Sequence, residues 1–484
     1  MFHSLREFVS LLEQRGQLKR ISAPVSAKLE ITEITDRVSK GPPEGNVALL
    51  FENVSGYDIP VLTNAYGSAQ RAAWALGVEH LDELGRNLER LLSLDMPRGI
   101  GEKLRRVGDL FSVFRSLGPK TVRQGTCQEI IIRDNPSLSI LPILTCWPKD
   151  GGPYITLPSV ITREPGSGRR NVGMYRLQVF DERTLGMHWQ IHKGGAEHER
   201  MAQELGMEQI PVAVSIGGDP VVTWAGSAPL PPDIDEFLLA GWLRKHPVEL
   251  VPCVSQPLEV PADADIVIEG YVDPTERRME GPFGDHTGYY SPAEPYPVMH
   301  VTAITHRRDP IYPATIVGRP PMEDYWMGKA TERLFLPLIR LFQSEVIDIN
   351  MPAEGVFHNL VIVSIRKRYP GQARKVMYGL WGLGLMMLSK ALLIVDEDVD
   401  VHDLSEVAWR VTNNVDWRRD IVLVDGPLDA LDHSSPRPNY GGKIGVDATR
   451  KGSEDGHDRP WPDDISMDEE TRRLVDRRWM DYGF

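Results

Sequence analysis

A chain of 484 residues is too long for one hydrophobic core, and a prior of ~150 residues per domain gives about three domains. Hydrophobic content of 41% and charged content of 25% are those of a folded globular protein, not of a disordered or fibrous one. The formal net charge of −14, with a pI near 5.5, repels phosphate backbones and anionic headgroups, so no nucleic-acid role and no polybasic membrane attachment is expected.

The N-terminus acquires charge at once, at Arg6 and Glu7, and the longest apolar stretch, 380–388, is far short of a membrane span. Neither secretion nor an integral membrane segment is expected. Cys127, Cys146 and Cys253 are odd in number, widely spaced and without a CxxC, which points to a reducing cytoplasm and not to a disulfide framework or zinc ribbon. Ser4 and Glu7 form a capping box, and Phe8, Leu11 and Leu12 give the stripe of an amphipathic helix that Gly16 can end. Residues 47–51 and 59–63 read as short buried strands. Helical patterns over 69–94 and 102–117 complete a small N-terminal α/β domain, 1–120.

From 121 to 320 the texture changes to short β-rich runs broken by Gly and Pro, which predicts a central β-barrel-like domain. One helix interrupts it, with Asp233, Asp235 and Glu236 crowding its first turn as the helix dipole prefers. A linker helix is predicted over 321–345. The last part, 346–484, alternates strand 359–365, helix 373–388, strand 391–395, helix 402–412 and strand 421–424, which predicts βαβαβ with a parallel sheet. Gly379, Gly382 and Gly384 lie inside a helical run and so read as close helix packing, not as a dinucleotide loop. The polar, proline-bearing 452–464 reads as loosely ordered.

Chemistry concentrates in four segments. Residues 279–290 place Glu280, Asp285, His286, Tyr289 and Tyr290 on a turn that Gly281, Pro282, Gly284 and Gly288 hold out of regular structure. Two carboxylates on one tight turn repel, so one is expected to be pushed up and the other to stay low, as general acid/base chemistry uses. Asn171 offers a neutral oxygen to a hard cation, and Arg176 a planar fork for a carboxylate or phosphate. Period-2 alternation puts these two on opposite sides of a regular strand, so one shared site requires a bend there. His188, Trp189, Gln190, His192, Lys193 and Gly194 bring imidazoles, an indole and a cation together; with Asn171 and Glu236 they offer a mixed O/N set suited to Mn2+ or Mg2+.

These segments, in this order, resemble the UbiD family of prenylated-flavin-dependent decarboxylases almost end to end. The opening Leu5-Arg6-Glu7-Phe8, then Leu144 to Pro148 and Gly318 to Pro321, resemble the branch that acts on 4-hydroxy-3-polyprenylbenzoate. The resemblance implies an α/β (α+β multidomain) fold whose central split β-barrel-like domain holds prenylated FMN, and a C-terminal oligomerisation domain. It implies Mn2+ or another divalent cation on Asn171, His192 and Glu236, with His188 as the alternative to His192 and K+ as a further cation. It implies cofactor contacts from Met174, Tyr175, Arg176, His188, Trp189, Gln190, Lys193 and Gly194, and from Lys390 to the phosphate. The implied catalytic set is Arg176, Glu280 and Asp285, with Asp285 as proton donor. The implied partners are an aromatic carboxylic acid substrate, CO2 and a flavin prenyltransferase that supplies the cofactor. A homo-oligomer of two to six subunits is expected, with transient membrane contact if the substrate carries a polyprenyl tail, in the service of quinone biosynthesis.

Overall fold

The structure, a computed structural model, describes residues 2–92, 117–190, 193–231 and 234–484. Ser4 accepts from the Glu7 N–H and starts the helix Leu5–Gln14, whose Leu5, Phe8, Val9 and Leu12 are buried. Gly16 leaves it with φ 67°. Strands Leu18–Ile21, Ala48–Phe51 and Val61–Thr63 form a sheet that the much later Tyr312–Pro313 extends in parallel, so the chain returns to this first unit after completing the second. The helical pattern over 69–94 divides into Ala69–Ala75 and Asp82–Leu92, because Gly77 turns the chain at φ 73°. Of the helix read over 102–117, all but Leu117 lies outside the described residues.

The central unit is a nine-stranded sheet in the order 154–155, 177–181, 184–187, 294–306, 266–280, 210–216, 158–163, 170–173, with 130–132 paired to 294–306. Its spine is the long antiparallel pair Ile266–Glu280 and Glu294–His306, which registers Glu280 opposite Glu294. The alternating inward residues Ile266, Ile268, Val272, Met299 and Ile304 are buried in one core with Val212, Val214 and Leu185. The tip of that ribbon, 281–293, therefore stands on a rigid support.

The helix Glu323–Phe342 bridges three units. Glu323 Oε1 accepts from the Tyr66 N–H at 2.7 Å at its start. At mid-length Gly85 lets the helix Asp82–Leu92 approach so closely that a Cβ there would lie 2.6 Å from the Arg333 carbonyl oxygen. On the other side Arg333 Nη1 reaches Asp348 Oδ1 at 2.7 Å and Lys329 binds Glu332 and Asn350, fixing the strand Val346–Asn350.

The C-terminal sheet runs 346–350, 360–365, 391–396, 440–447, 421–427, and apolar clusters cover its faces. Leu360–Ile365 and Ala391–Asp396 are parallel, joined by the helix Gln372–Trp381. The expected third parallel strand is different: Tyr440–Asp447 takes that place, and Ile421–Pro427 folds back antiparallel on it as the edge. The loop 428–439 is long enough for a hairpin return, which needs no crossover helix. Gly379 packs as expected, its α-carbon so close to Gln343 that a Cβ would meet the amide nitrogen at 2.5 Å. The helix stops at Trp381, and 384–388 form a separate 3-10 turn. In the tail, Lys367 and Arg410 bind Asp455 and Asp464, and a helix Glu469–Arg477 follows that its polar sequence did not suggest. Among the described residues no helix is long and apolar enough to cross a membrane.

Candidate active site

The loop 281–293 is a small ribbon on top of the spine. Gly281, at φ 104°, leads out of the long strand; Phe283–Gly284 pairs with Tyr290–Ser291, and Gly288 at φ 81° closes the turn with its N–H donating to the Asp285 carbonyl at 2.9 Å. Both acids therefore point to one side, toward Arg176.

Arg176 sits where the strand Arg170–Gly173 has ended and Leu177–Asp181 begins. That break supplies the required bend: Asn171 lies in the first strand and Arg176 in the irregular stretch between the two. Arg176 donates through Nε to Glu280 Oε1 at 2.9 Å and through Nη2 to Glu280 Oε2 at 3.1 Å. Its Nη1 binds Asp285, its Nη2 also reaches Ser291 Oγ at 2.9 Å, and its guanidinium lies over the Phe283 ring at 4.7 Å. One guanidinium thus bridges both carboxylates in a dry setting, with Glu280 fully buried.

Each acid has an imidazole on its far side. His188 Nδ1 lies 2.9 Å from Glu280 Oε2, and His286 Nδ1 lies 2.9 Å from Asp285 Oδ1. Burial raises both carboxyls, but the His188 hydrogen bond and Arg176 hold Glu280 below its ordinary value, and the His286 bond, with the charges of His286 and Arg176, holds Asp285 further below. The expectation that one acid is pushed up does not hold for this structure: the imidazole on each acid's far side, with Arg176 between them, outweighs the burial that would have raised it. The imidazole of His286, despite burial, is raised by Asp285.

A cavity of about 670 Å³ opens from this group and lies between the central and C-terminal units. Met174, Tyr175, Arg176, His188, Gln190, Lys193 and Asp285 line it, and it extends along the bridging helix past Phe335, Leu338 and Ile339 to Leu383 and Met386. Trp189 and Gly194 stand behind these, at the start of the helix Gly194–Glu204; a Cβ on Gly194 would meet Asn171 Oδ1 at 2.1 Å, and one on Gly195 the Trp189 ring at 2.6 Å. Lys193 precedes that helix with its ammonium lowered by burial.

Asn171 and Glu236 come together on the same side. Glu236 opens the helix Glu236–Arg244 and accepts from the Val172 N–H at 2.9 Å, while Asn171 Nδ2 reaches Tyr175 Oη at 3.4 Å. Burial pushes the Glu236 carboxyl up to about 7. His192 lies outside the described residues, and among the described residues no three His, Cys, Asp or Glu side chains gather with metal-ligating geometry. His188 is taken by Glu280 and is not brought to this pair. Lys390 is not in the cavity either: its ammonium is held by Asp432 at 3.0 Å and by Ser434, in a separate pocket of the C-terminal sheet. Sequence reading missed Ser291, Asp324, His358 and Asp429, which the fold brings to the site from four different segments.

Three family models match in order. The N-terminal, Rift-related and C-terminal domains of 3-octaprenyl-4-hydroxybenzoate carboxy-lyase cover residues 9–91, 120–320 and 325–448. The chain belongs to the UbiD family. UbiD proteins are carboxy-lyases, and the relatives agree across the whole length. An uncharacterized protein of Archaeoglobus fulgidus is 53% identical over 99% of this chain and 98% of its own. The UbiD-class enzyme HmfF of Pelotomaculum thermopropionicum, solved with FMN, is 32% identical at a TM-score of 0.80, covering 98% and 100% of the two chains. The vanillic acid decarboxylase of Sedimentibacter hydroxybenzoicus is 28% identical, at a TM-score of 0.87 in its closed form, with 99% of each chain covered, and 0.79 in its open form.

Proposed function

We propose that this UbiD protein is a non-oxidative decarboxylase of an aromatic acid of the 4-hydroxybenzoate type, using prenylated FMN and a divalent cation such as Mn2+, with quinone synthesis as its setting. The observation that carries this reading is Arg176 bridging Glu280 and Asp285 at the inner end of a deep cavity between two domains. The volume of about 670 Å³ is within the range of about 300–1,000 Å³ usual for ligand sites.

The residues fit the cofactor. Gly194 and Gly195 clear the N-terminus of an eleven-residue helix, with half-buried Lys193 beside it, which suits a phosphate. Glu236, half-buried and raised to about 7, and the Asn171 amide oxygen suit a cation; oxygen ligands suit Mn2+ or Mg2+, His192 would complete the set, and K+ would need further carbonyl oxygens. When bound, prenylated FMN supplies an electron sink for the carbon that loses CO2. The protein's part is to bind, orient and protonate. Arg176 is the cation for the substrate carboxylate, which competes with Asp285 and Glu280 for it. Decarboxylation, R–CO2− + H+ → R–H + CO2, consumes one proton, and Asp285 is the donor best placed to deliver it. The apolar arm past Phe335, Leu338 and Ile339 suits an isoprenoid tail and would open near exposed Phe342 for transient membrane contact. A homo-oligomer in the cytoplasm, loaded by a flavin prenyltransferase, completes the proposal.

The test is co-expression with a flavin prenyltransferase, followed by absorption and mass analysis of the released cofactor and assay of CO2 from hydroxybenzoates with and without prenyl tails. Absence of any modified flavin, with none reconstituted by Mn2+, would overturn the reading. In the same preparation Gly194→Ala is expected to lower bound metal at least tenfold at unchanged far-UV circular dichroism, because its Cβ must displace the Asn171 oxygen 2.1 Å away. Full metal content in that variant would remove Asn171 from the ligand set.

A further inference from the structure

The catalytic acids are contributed by the central domain, yet the chain of hydrogen bonds that begins at Asp285 ends in the C-terminal domain. His286 Nε2 lies 2.9 Å from Nε2 of His358, and the two rings meet edge to face at 5.2 Å. His358 sits between the 3-10 turn Ala353–Gly355 and the strand Leu360–Ile365. Its placement is costly. Val356 and Phe357, immediately before it, are held at φ 54° and 42°, a region that β-branched and bulky residues avoid. Asn359, immediately after it, is pinned by the N–H groups of Lys390 and Ala391 at 3.0 and 2.7 Å. The other ring nitrogen of His358, Nδ1, is shielded from water, has no hydrogen-bond partner among the described residues, and belongs to a ring that lines the cavity.

We propose that His358 is a positioning residue for the reaction: by accepting from His286 across the domain cleft it holds His286 as the proton reservoir of Asp285, so that the donor assembly is complete only when the domains are closed. This rests on the decarboxylase reading above and deepens it.

Two nitrogens 2.9 Å apart need one proton between them, and the surroundings decide whose it is. Facing His286 are Asp285 on its own loop, Asp324 at the start of the bridging helix, and Asp429 and His358 from the C-terminal unit; facing His358 are His286, Asp285, Asp429 and Lys193. Burial and the charge of His286 lower His358 to about 4, whereas Asp285 raises His286. His286 is therefore the imidazolium, donating through Nδ1 to Asp285 and through Nε2 to a neutral His358. The remaining proton of His358 is on Nδ1, the nitrogen without a partner among the described residues.

In a turnover the substrate carboxylate takes Arg176, which leaves the His286 imidazolium as the remaining cation that holds Asp285 ionised. Asp285 then accepts the Nδ1 proton of His286 and passes it to the carbon as the C–CO2 bond breaks. The balance is R–CO2− + imidazolium → R–H + CO2 + imidazole, and water recharges His286 when the domains part. The closed form of vanillic acid decarboxylase is the one this chain matches better, consistent with a His286–His358 contact made on closure.

The test compares His358→Phe, which keeps the ring packing but cannot accept, with His358→Gln, which can. Without substrate or cofactor, ring-15N-histidine NMR is expected to show His286 titrating about one pH unit lower in His358→Phe than in the wild type or His358→Gln, the loss of one hydrogen bond to a charged group. In the loaded enzyme the basic limb of kcat moves down by a similar amount, so kcat at pH 8 falls about tenfold at a KM changed less than twofold. An unchanged His286 titration in a folded His358→Phe overturns the proposal. A shifted titration in a protein that releases no CO2 from any aromatic acid overturns the decarboxylase reading and leaves the positioning role standing.

Discussion

Asp285→Asn is expected to abolish CO2 release, by about 10³-fold or more in kcat, while leaving flavin and metal content unchanged. The substitution is nearly isosteric, but the amide can neither take the proton from His286 nor deliver one. It also shows that hydrogen bonds alone are not enough. After Asp285→Asn the single amide oxygen can accept from His286 or from Arg176 but not from both as the two carboxylate oxygens do; the loop still keeps its own backbone bonds, with the residue 285 N–H donating to the Tyr289 carbonyl at 3.1 Å and Gly288 closing the turn as before. The residues proposed above to hold the phosphate and the cation, Lys193, Gly194, Asn171 and Glu236, are none of them bonded to Asp285. The measurement is single-turnover release of CO2 from loaded enzyme, beside the flavin-to-protein ratio. Glu280→Gln should be inactive for a different reason: it leaves Arg176 with one anionic partner and His188 without a carboxylate. A variant Asp285→Asn that retained more than a tenth of wild-type turnover would show that another group is the proton donor.

Much of this was legible in the sequence because the informative segments are local. The 279–290 turn announces itself through glycines, and the N-cap at Ser4 or the acids before Phe237 are read within four residues, although the Glu7 carboxylate accepts from the His3 N–H and does not close the expected capping box on Ser4. What stayed hidden is what only the fold brings together. His358 lies in a segment, 354–359, with no motif at all; it becomes part of the site because the C-terminal domain closes on a loop 72 residues earlier. The pKa pattern failed for the same reason: two acids five residues apart look like a repelling pair until Arg176, more than 100 residues away, is placed between them. In the C-terminal sheet, strand spacing predicted a parallel third strand, but the chain returned as a hairpin, and the glycine-containing strand Tyr440–Asp447 carries too weak a pattern to compete for that place on paper.

Arg176→Met is expected to cost the apoprotein about 3–5 kcal/mol, more than an ordinary surface or core substitution, because it leaves two buried carboxylates without their shared cation. The long, unbranched thioether replaces the stem of Arg176 over Phe283, so the loss isolates the charge. The pH dependence separates this from a packing defect. In the wild type both Glu280 and Asp285 titrate below their unfolded values, so their stabilising contribution is fully present above about pH 4 and is lost as pH falls through the lower native values. Without Arg176 the imidazoles of His188 and His286 still oppose burial, but both carboxyls are held down less, so their native pKa values move up toward the unfolded ones. The acid-labile contribution then shrinks: the variant's deficit is largest above about pH 5 and narrows as pH falls, because the wild type then loses what the variant no longer has. Urea unfolding of the apoprotein at pH 3 and pH 7 measures the difference. The variant's deficit relative to the wild type should be larger at pH 7 than at pH 3; an equal deficit at both values would mean that Arg176 acts through packing and not as the common counter-ion of the two acids.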